Sequence, residues 1–241
     1  MNGFRPGLGP ALVVLALLPV LIGLGFWQLS RAEEKRALLA AAELRRVASP
    51  VDLENLASSA DPAWLRVRLE GHFDPRHSLL LDSRIRDGRA GVELLQPFQD
   101  ASGRWVLVNR GWLPWPDRRE PPRFQTPEGP QRLIAWVYVP PGATFELEPS
   151  AASDWPQLVN QVDAAALWQH LERTGLPLEL RLEGGPAAYR TDWAVVAMGP
   201  EKHLGYAVQW FALATALLGL FIYYGLRKGR ENDHEPSTRH A

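Results

Sequence analysis

The chain has 241 residues, 46% of them hydrophobic and 22% charged, with a formal net charge of -1. That balance excludes a strongly basic nucleic-acid binder. The absence of cysteine excludes disulfides, thiolate zinc sites, iron–sulfur clusters and thiol catalysis together. A mean hydropathy of -0.18 hides segregation, because the apolar residues gather near the two ends and the middle is polar.

In chain order, residues 1–6 are expected to form a short cytoplasmic N-terminus. From Gly7 to Leu29 no residue is charged, and Gln28 is the single strongly polar side chain. At 1.5 Å per residue this run spans a hydrocarbon core of about 30 Å as a helix, so residues 7–29 are expected to cross a membrane. The alternative is a cleaved signal peptide. The run is longer than a signal core, and no small-x-small site follows closely, since Ala40–Ala42 come after a charged stretch. Ser30 to Val47 is rich in Ala, Leu, Glu, Lys and Arg and is expected to continue the first helix.

Residues 30–203 read as an α+β domain, mostly antiparallel β, in the form of a sheet or open barrel. Strands are expected at Trp64–Phe73, His77–Ile85, Gly91–Phe98, Trp105–Leu113, Gln131–Val139, Leu178–Leu182 and Trp193–Met198. Asp100-Ala-Ser-Gly103 forms a hairpin turn between two of them. The proline-dense stretch Pro114–Pro130 is a loop without a backbone ladder. Asp163 caps a helix through Ala164–Arg173 that stops at Gly175. The ten tryptophans suit either a domain leaning on a membrane or a Trp-rich core.

Residues 204–226 form the second expected span, interrupted by Gln209 and Thr215, and residues 227–241 a cytoplasmic tail, disordered from Glu231. Phe26 and Trp27 at the end of the first span, with Tyr206, Trp210, Phe211, Phe221, Tyr223 and Tyr224 on the second, are placed as interfacial belts are. Arg227, Lys228 and Arg230 point the termini to the cytoplasm, whereas Arg31, Lys35, Arg36, Arg45 and Arg46 follow the first span directly and pull the other way. Segments longer than about 60 residues translocate largely regardless of charge. The middle domain is therefore expected outside, in the periplasm of a bacterial inner membrane.

Sites of chemistry are few. The chain has no Gly-rich phosphate loop, no G-x-S-x-G elbow and no H-E-x-x-H, so an enzyme is not expected. Of its six histidines, His72, His77, His170, His234 and His240 read as exposed or satisfied imidazoles. His203 opens the second span and shares a helix face with Tyr206 and Trp210. An imidazole beside two aromatic rings suits coordination and stacking on a flat apolar macrocycle. The same trio also serves as an interfacial anchor.

Three blocks in order carry a resemblance: Leu24-Gly-Phe-Trp-Gln28 with Arg31 and Lys35, Val106-Leu-Val-Asn-Arg-Gly-Trp112, and His203 through Phe211. With the two-span layout they resemble the surfeit-locus (Shy-type) family of cytochrome c oxidase assembly proteins. The resemblance implies a chaperone-like assembly factor rather than an enzyme. Its implied partners are the catalytic haem-bearing oxidase subunit, the lipid bilayer and the haem a synthesis machinery, with no nucleic acid. It further implies transient binding of haem a, with His203 as axial ligand to the iron and Tyr206, Trp210, Trp27, Gln28 and Arg110 as cofactor contacts. Arg31, Arg110 or Lys202 could meet the propionates. The other reading is a membrane scaffold that stabilises the subunit without touching haem. Trp27-Gln28 would then be a helix end, and Asn109-Arg110-Gly111-Trp112 a strand exit with Trp112 in the core.

Overall fold

The computed structural model describes residue 4 and residues 6–140, 154–196 and 198–232. The chain divides into two compact units, one of residues 1–41 with 194–241 and one of residues 42–193.

The first unit is built on a pair of long helices, α1 (Leu8–Val47), of which residues 42–47 count with the second unit, and α4 (Pro200–Asn232). α1 passes through Pro19 without ending and includes the expected extension to Val47. α4 starts on Pro200, a residue whose fixed φ and missing N–H suit a first helical position. The partly or fully covered positions of α1 recur at three- and four-residue steps: Leu18, Leu21, Gly25, Gln28, Ala32 and Lys35. On α4 the matching series is His203, Ala207, Phe211, Ala214, Phe221 and Gly225. This is the seam of two packed helices. Gly25 lies where a Cβ would meet the Phe211 ring at 2.6 Å, and Phe26 meets Phe211 edge-on at 5.3 Å. Near the other end Phe4 meets Phe221 at 5.4 Å, so the helices run antiparallel. Both are long and apolar enough to cross a membrane, and only 6% of the apolar window of α1 and 11% of that of α4 is covered by the chain itself. A core helix of a water-soluble domain would be covered, so these surfaces need an apolar environment from elsewhere.

The second unit contains β1 (Val51–Asp52), α2 (Leu53–Ala57), β2 (Arg66–Phe73), β3 (Leu79–Arg86), β4 (Arg89–Asp100), β5 (Trp105–Pro114), β6 (Gln131–Tyr138), β7 (Gln157–Val159), α3 (Ala164–His170) and β8 (Gly175–Leu182). β2 pairs antiparallel with both β6 and β4, β4 with β5, β5 in parallel with β8, and β8 antiparallel with β6. The ring β2-β6-β8-β5-β4 is thus closed, which corrects the expected sheet or open barrel. Closure happens at Gly71, the residue of β2 that faces both Asp100 of β4 and Gln131 of β6. β3 adds to β4 outside the ring, and β7 to β3 in parallel.

The alternation of the strands fills the barrel: Val67 and Leu69 from β2, Phe98 from β4, Val106 and Val108 from β5, Leu133, Ala135 and Val137 from β6, and Leu180 and Leu182 from β8 form one cluster with Leu53 and Leu56 of α2. A second cluster lies under α3, where Leu167 and Trp168 pack on Leu79, Leu81, Leu95 and Leu107. Asp163 caps α3 as expected, accepting from the Ala166 N–H at 2.9 Å. The helix ends at His170 rather than Gly175. Gly175 instead starts β8 against the Trp168 ring, where a Cβ would sit 2.5 Å from the indole.

Trp193–Met198 is a second correction, because its described residues are irregular rather than a strand. Both edges of β8 are already taken by β5 and β6, and Trp193 is buried instead with its indole N–H donating to the Leu182 carbonyl at 2.7 Å. The hairpin turn at Asp100–Gly103 is present, with the Gly103 N–H donating to the Asp100 carbonyl at 2.8 Å. The expected tail disorder falls, from residue 233 on, outside the described residues.

The β2–β3 turn is pinned by Asp74. Its buried carboxylate accepts from the Arg76 N–H at 2.8 Å, bonds His77 Nδ1 at 2.6 Å and pairs with Arg173 at 2.7 Å. Burial pushes the carboxyl upward, but the bonds from His77, Arg76 and Arg173 outweigh it and hold its pKa below the usual range. A depressed folded-state pKa gives stability above the unfolded value, and it is lost as pH falls through the folded one. Asp74→Asn is expected to lower stability by about 2–4 kcal/mol at neutral pH. Urea unfolding at several pH values should show that gap closing below about pH 4; a gap independent of pH would refute the assignment.

Candidate functional site

The sequence-derived site residues divide between the two units. His203, Tyr206 and Trp210 of α4 and Trp27 and Gln28 of α1 belong to the helix pair, and Arg110 belongs to the barrel.

In the helix pair, one hydrogen bond organises the site. His203 Nδ1 lies 2.8 Å from Gln28 Oε1. The amide oxygen of Gln28 is an acceptor, so Nδ1 is the donor in this bond, and in the neutral ring Nε2 keeps its lone pair. No second partner binds the ring among the described residues. His203 is 8% exposed, on the covered face of α4 one turn before Ala207. The small side chains Ala32 and Ala207, both essentially buried, let the helices approach at this level. A neutral imidazole oriented by an acceptor on Nδ1 is the usual arrangement of a histidine that coordinates metal through Nε2.

Tyr206 is 44% exposed and follows one turn from His203, and Trp210 is half-buried one turn further. Trp27 is exposed beside Gln28. An imidazole nitrogen with aromatic surface along the same helix offers one ligand and a stacking wall, without a closed cage. No group of three or more His, Cys, Asp or Glu that could hold a metal occurs among the described residues. Of the surface cations, Arg31 is paired with Glu34 one turn on, and Lys202 is exposed next to His203.

Arg110 is set by a β-bulge. The β4–β5 register steps from Leu95↔Asn109 to Leu94↔Gly111, which makes Arg110 the extra residue. It follows Val106 and Val108 on the barrel's inner side and is 2% exposed. Its guanidinium donates to Gln96 Oε1 at 2.6 Å and to the carbonyls of Ala187 at 2.7 Å and Gln125 at 2.9 Å. The neighbouring positions have structural tasks. Asn109 Nδ2 donates to Glu93 and Glu179, each at 2.9 Å. Gly111 has φ +116°, and a Cβ there would lie 2.7 Å from the Arg190 carbonyl oxygen. The Trp112 indole donates to the Arg84 carbonyl at 2.8 Å.

The fold places this chain in a class: a small closed β-barrel domain flanked in sequence by two long apolar helices that pair antiparallel and carry a single oriented histidine. The family described as SURF1 matches residues 15–215, a range that contains all three sequence blocks. A SURF1-like protein of Rickettsia felis is 29% identical over 235 residues, covering 88% of this chain and 95% of its own length. One from Rickettsia bellii is 29% identical over 232 residues, covering 88% and 89%. The cytochrome oxidase assembly protein SHY1 of Saccharomyces cerevisiae is 29% identical over 126 residues, covering 49% of this chain and 32% of its own. The chain belongs to the SURF1 family.

Proposed function

We propose that this protein is a membrane-tethered assembly factor for a cytochrome oxidase, and that it carries haem a on His203 for delivery to the catalytic subunit. The support for oxidase assembly is membership of the SURF1 family and likeness to the yeast assembly protein. The observation that carries the haem reading is the His203–Gln28 bond, in which Nδ1 donates, the arrangement that in a neutral ring leaves Nε2 for iron. Tyr206, Trp210 and Trp27 offer the aromatic surface that a macrocycle stacks on. One axial ligand without a closed cage suits cargo that must be released. In this reading the protein performs no catalysis, and the haem a synthesis machinery and the oxidase subunit meet it in the bilayer. Residues 7–29 and 204–226 cross a bacterial inner membrane, residues 30–203 are periplasmic, and residues 1–6 and 227–241 are cytoplasmic.

The test is co-purification from cells that make haem a. The wild-type protein is expected to show a Soret band. His203→Ala should lose most of it while accumulating normally in the membrane, and Gln28→Leu should weaken haem binding about tenfold. A phosphatase fused at Gly103 should be active and one at Arg230 inactive. Oxidase assembly by a wild-type protein that never acquires a Soret band would favour the scaffold reading, and an unchanged spectrum in His203→Ala would remove the ligand assignment.

A further inference from the structure

Arg110 is buried, yet it forms no ion pair among the described residues. Its three acceptors, Gln96 Oε1 and the carbonyls of Ala187 and Gln125, are all neutral, and the rings of Phe73 and Tyr189 flank it at 5.0 and 5.1 Å. Its remaining terminal nitrogen, Nη2, carries two N–H groups, and the one further polar group acting on the guanidinium among the described residues is the neutral Tyr189 hydroxyl. Other covered arginines of the same unit are treated differently: Arg181 faces Glu179 and Glu93, Arg173 faces Asp74, and Arg66 faces Glu183. A guanidinium cannot shed its proton to escape burial. Burial pushes its pKa down, and the Tyr189 hydroxyl acts in the opposite sense without cancelling it.

A cleft of about 790 Å³ opens onto this guanidinium, walled by Gln125, Thr126, Pro127, Pro186, Ala188 and Tyr189. Glu128 also lines it, but that side chain is exposed and makes no ion pair with Arg110. We propose that the cleft is a binding site for an organic carboxylate and that Arg110 is its receptor, the ligand supplying the missing counter-charge. A single guanidinium without a counter-charge matches a monoanion; among the described residues no second cation lines the cleft to balance a phosphate dianion. The ring of Tyr189 and the faces of Pro127, Pro186 and Ala188 suit an apolar body behind the carboxylate. The carboxylate has two sources in reach of this protein's chemistry, the propionate of a tetrapyrrole and a carboxylate of a polypeptide. The proposal does not depend on His203 holding haem.

The experiment uses the whole chain in neutral detergent, with benzoate as the probe, benzamide as its neutral isostere and inorganic phosphate as the competing anion, followed by calorimetry. Benzoate is expected to bind at least about tenfold more tightly than either of the others. Arg110→Gln should lose about tenfold or more of that affinity. Ala188→Glu, which places a carboxylate of the protein's own in the cleft, should abolish benzoate binding while the near-ultraviolet dichroism of the barrel stays unchanged, and it decides the matter even if Arg110→Gln fails to accumulate. Displacement of benzoate by protoporphyrin but not its dimethyl ester identifies a tetrapyrrole propionate. Displacement by an acidic peptide with free but not amidated carboxylates identifies a polypeptide. Equal binding of benzoate and benzamide, benzoate binding untouched by Ala188→Glu, or displacement by neither competitor would overturn the proposal.

Discussion

Gly71→Val is expected to open the barrel. The position belongs to two ladders at once, and a Cβ built on it would stand 1.9 Å from the Gln99 carbonyl oxygen and 2.9 Å from the Asp100 Cα. Both obstacles are backbone, so no side-chain rotation relieves them; β2 or β4 must move. The seam they form is short, Gly71–Phe73 against Phe98–Asp100, and its neighbouring bonds run from the Ala101 N–H to the Glu70 carbonyl at 2.7 Å and from the Glu70 N–H to Asp100 Oδ1 at 3.1 Å. Displacing them exposes Phe73 and Phe98, which meet edge-on at 5.0 Å. A loss above about 4 kcal/mol is expected. It should be read as collapse of the cooperative urea transition and rapid proteolysis between residues 66 and 100. Gly88→Ala provides the comparison: its surroundings are open, and only its φ of +71° opposes a side chain, at about 1–2 kcal/mol. Equal effects of the two substitutions would show that the seam does not govern stability.

Glu93→Leu should be nearly as severe by a different route. Glu93 is 3% exposed and accepts from Asn109 Nδ2 at 2.9 Å, with Arg86 at 3.3 Å and Arg181 at 3.9 Å. Arg181 also pairs with Glu179 at 2.8 Å and lies over the rings of Tyr138 at 3.4 Å and Trp193 at 4.7 Å. Two arginines and two glutamates balance, so the cluster is tolerable in a dry setting as long as it stays complete. Removing one carboxylate leaves an excess positive charge among aromatic rings, costing about 3–5 kcal/mol. Replacing Arg181 by Leu in the same chain should recover part of the loss, because the excess charge leaves with it. Urea transitions followed by near-ultraviolet dichroism, to which Trp136 and Trp193 contribute, measure both. Simple addition of the two single losses in the double variant would refute the coupling.

The readable parts of the sequence were those governed by local periodicity. Both apolar helices, the continuation of α1 through Val47, six of the strands and the Asp163 cap follow from spacing and turn chemistry alone. Pairing partners were not legible. The closing contact of β2 with β4, the parallel insertion of β8 and the short β1 and β7 depend on residues far apart in the chain, and two- or three-residue strands leave no alternation to read. Trp193–Met198 had a strand's composition but no free edge to join. At the candidate site, His203 stood out through its place at the head of an apolar run, and Gln28 through being the polar interruption in another. That they bond each other across 175 positions needed the helix pairing. Arg110 was visible only as part of a block, because its acceptors Gln96, Gln125 and Ala187 come from other segments of the chain.

The position of β8 within the ring has a consequence for synthesis on the ribosome. This strand lies between β5 and β6, yet it is the last of the barrel strands to be made. A nascent chain that has not reached residue 175 therefore holds β2, β4, β5 and β6 with two bare edges, the kind that recruit foreign strands. Only residues 183–199 separate the end of β8 from the start of α4. The barrel can close only when the second apolar helix is about to emerge, so completion of the barrel and emergence of the chain's second long apolar segment are nearly a single event in time.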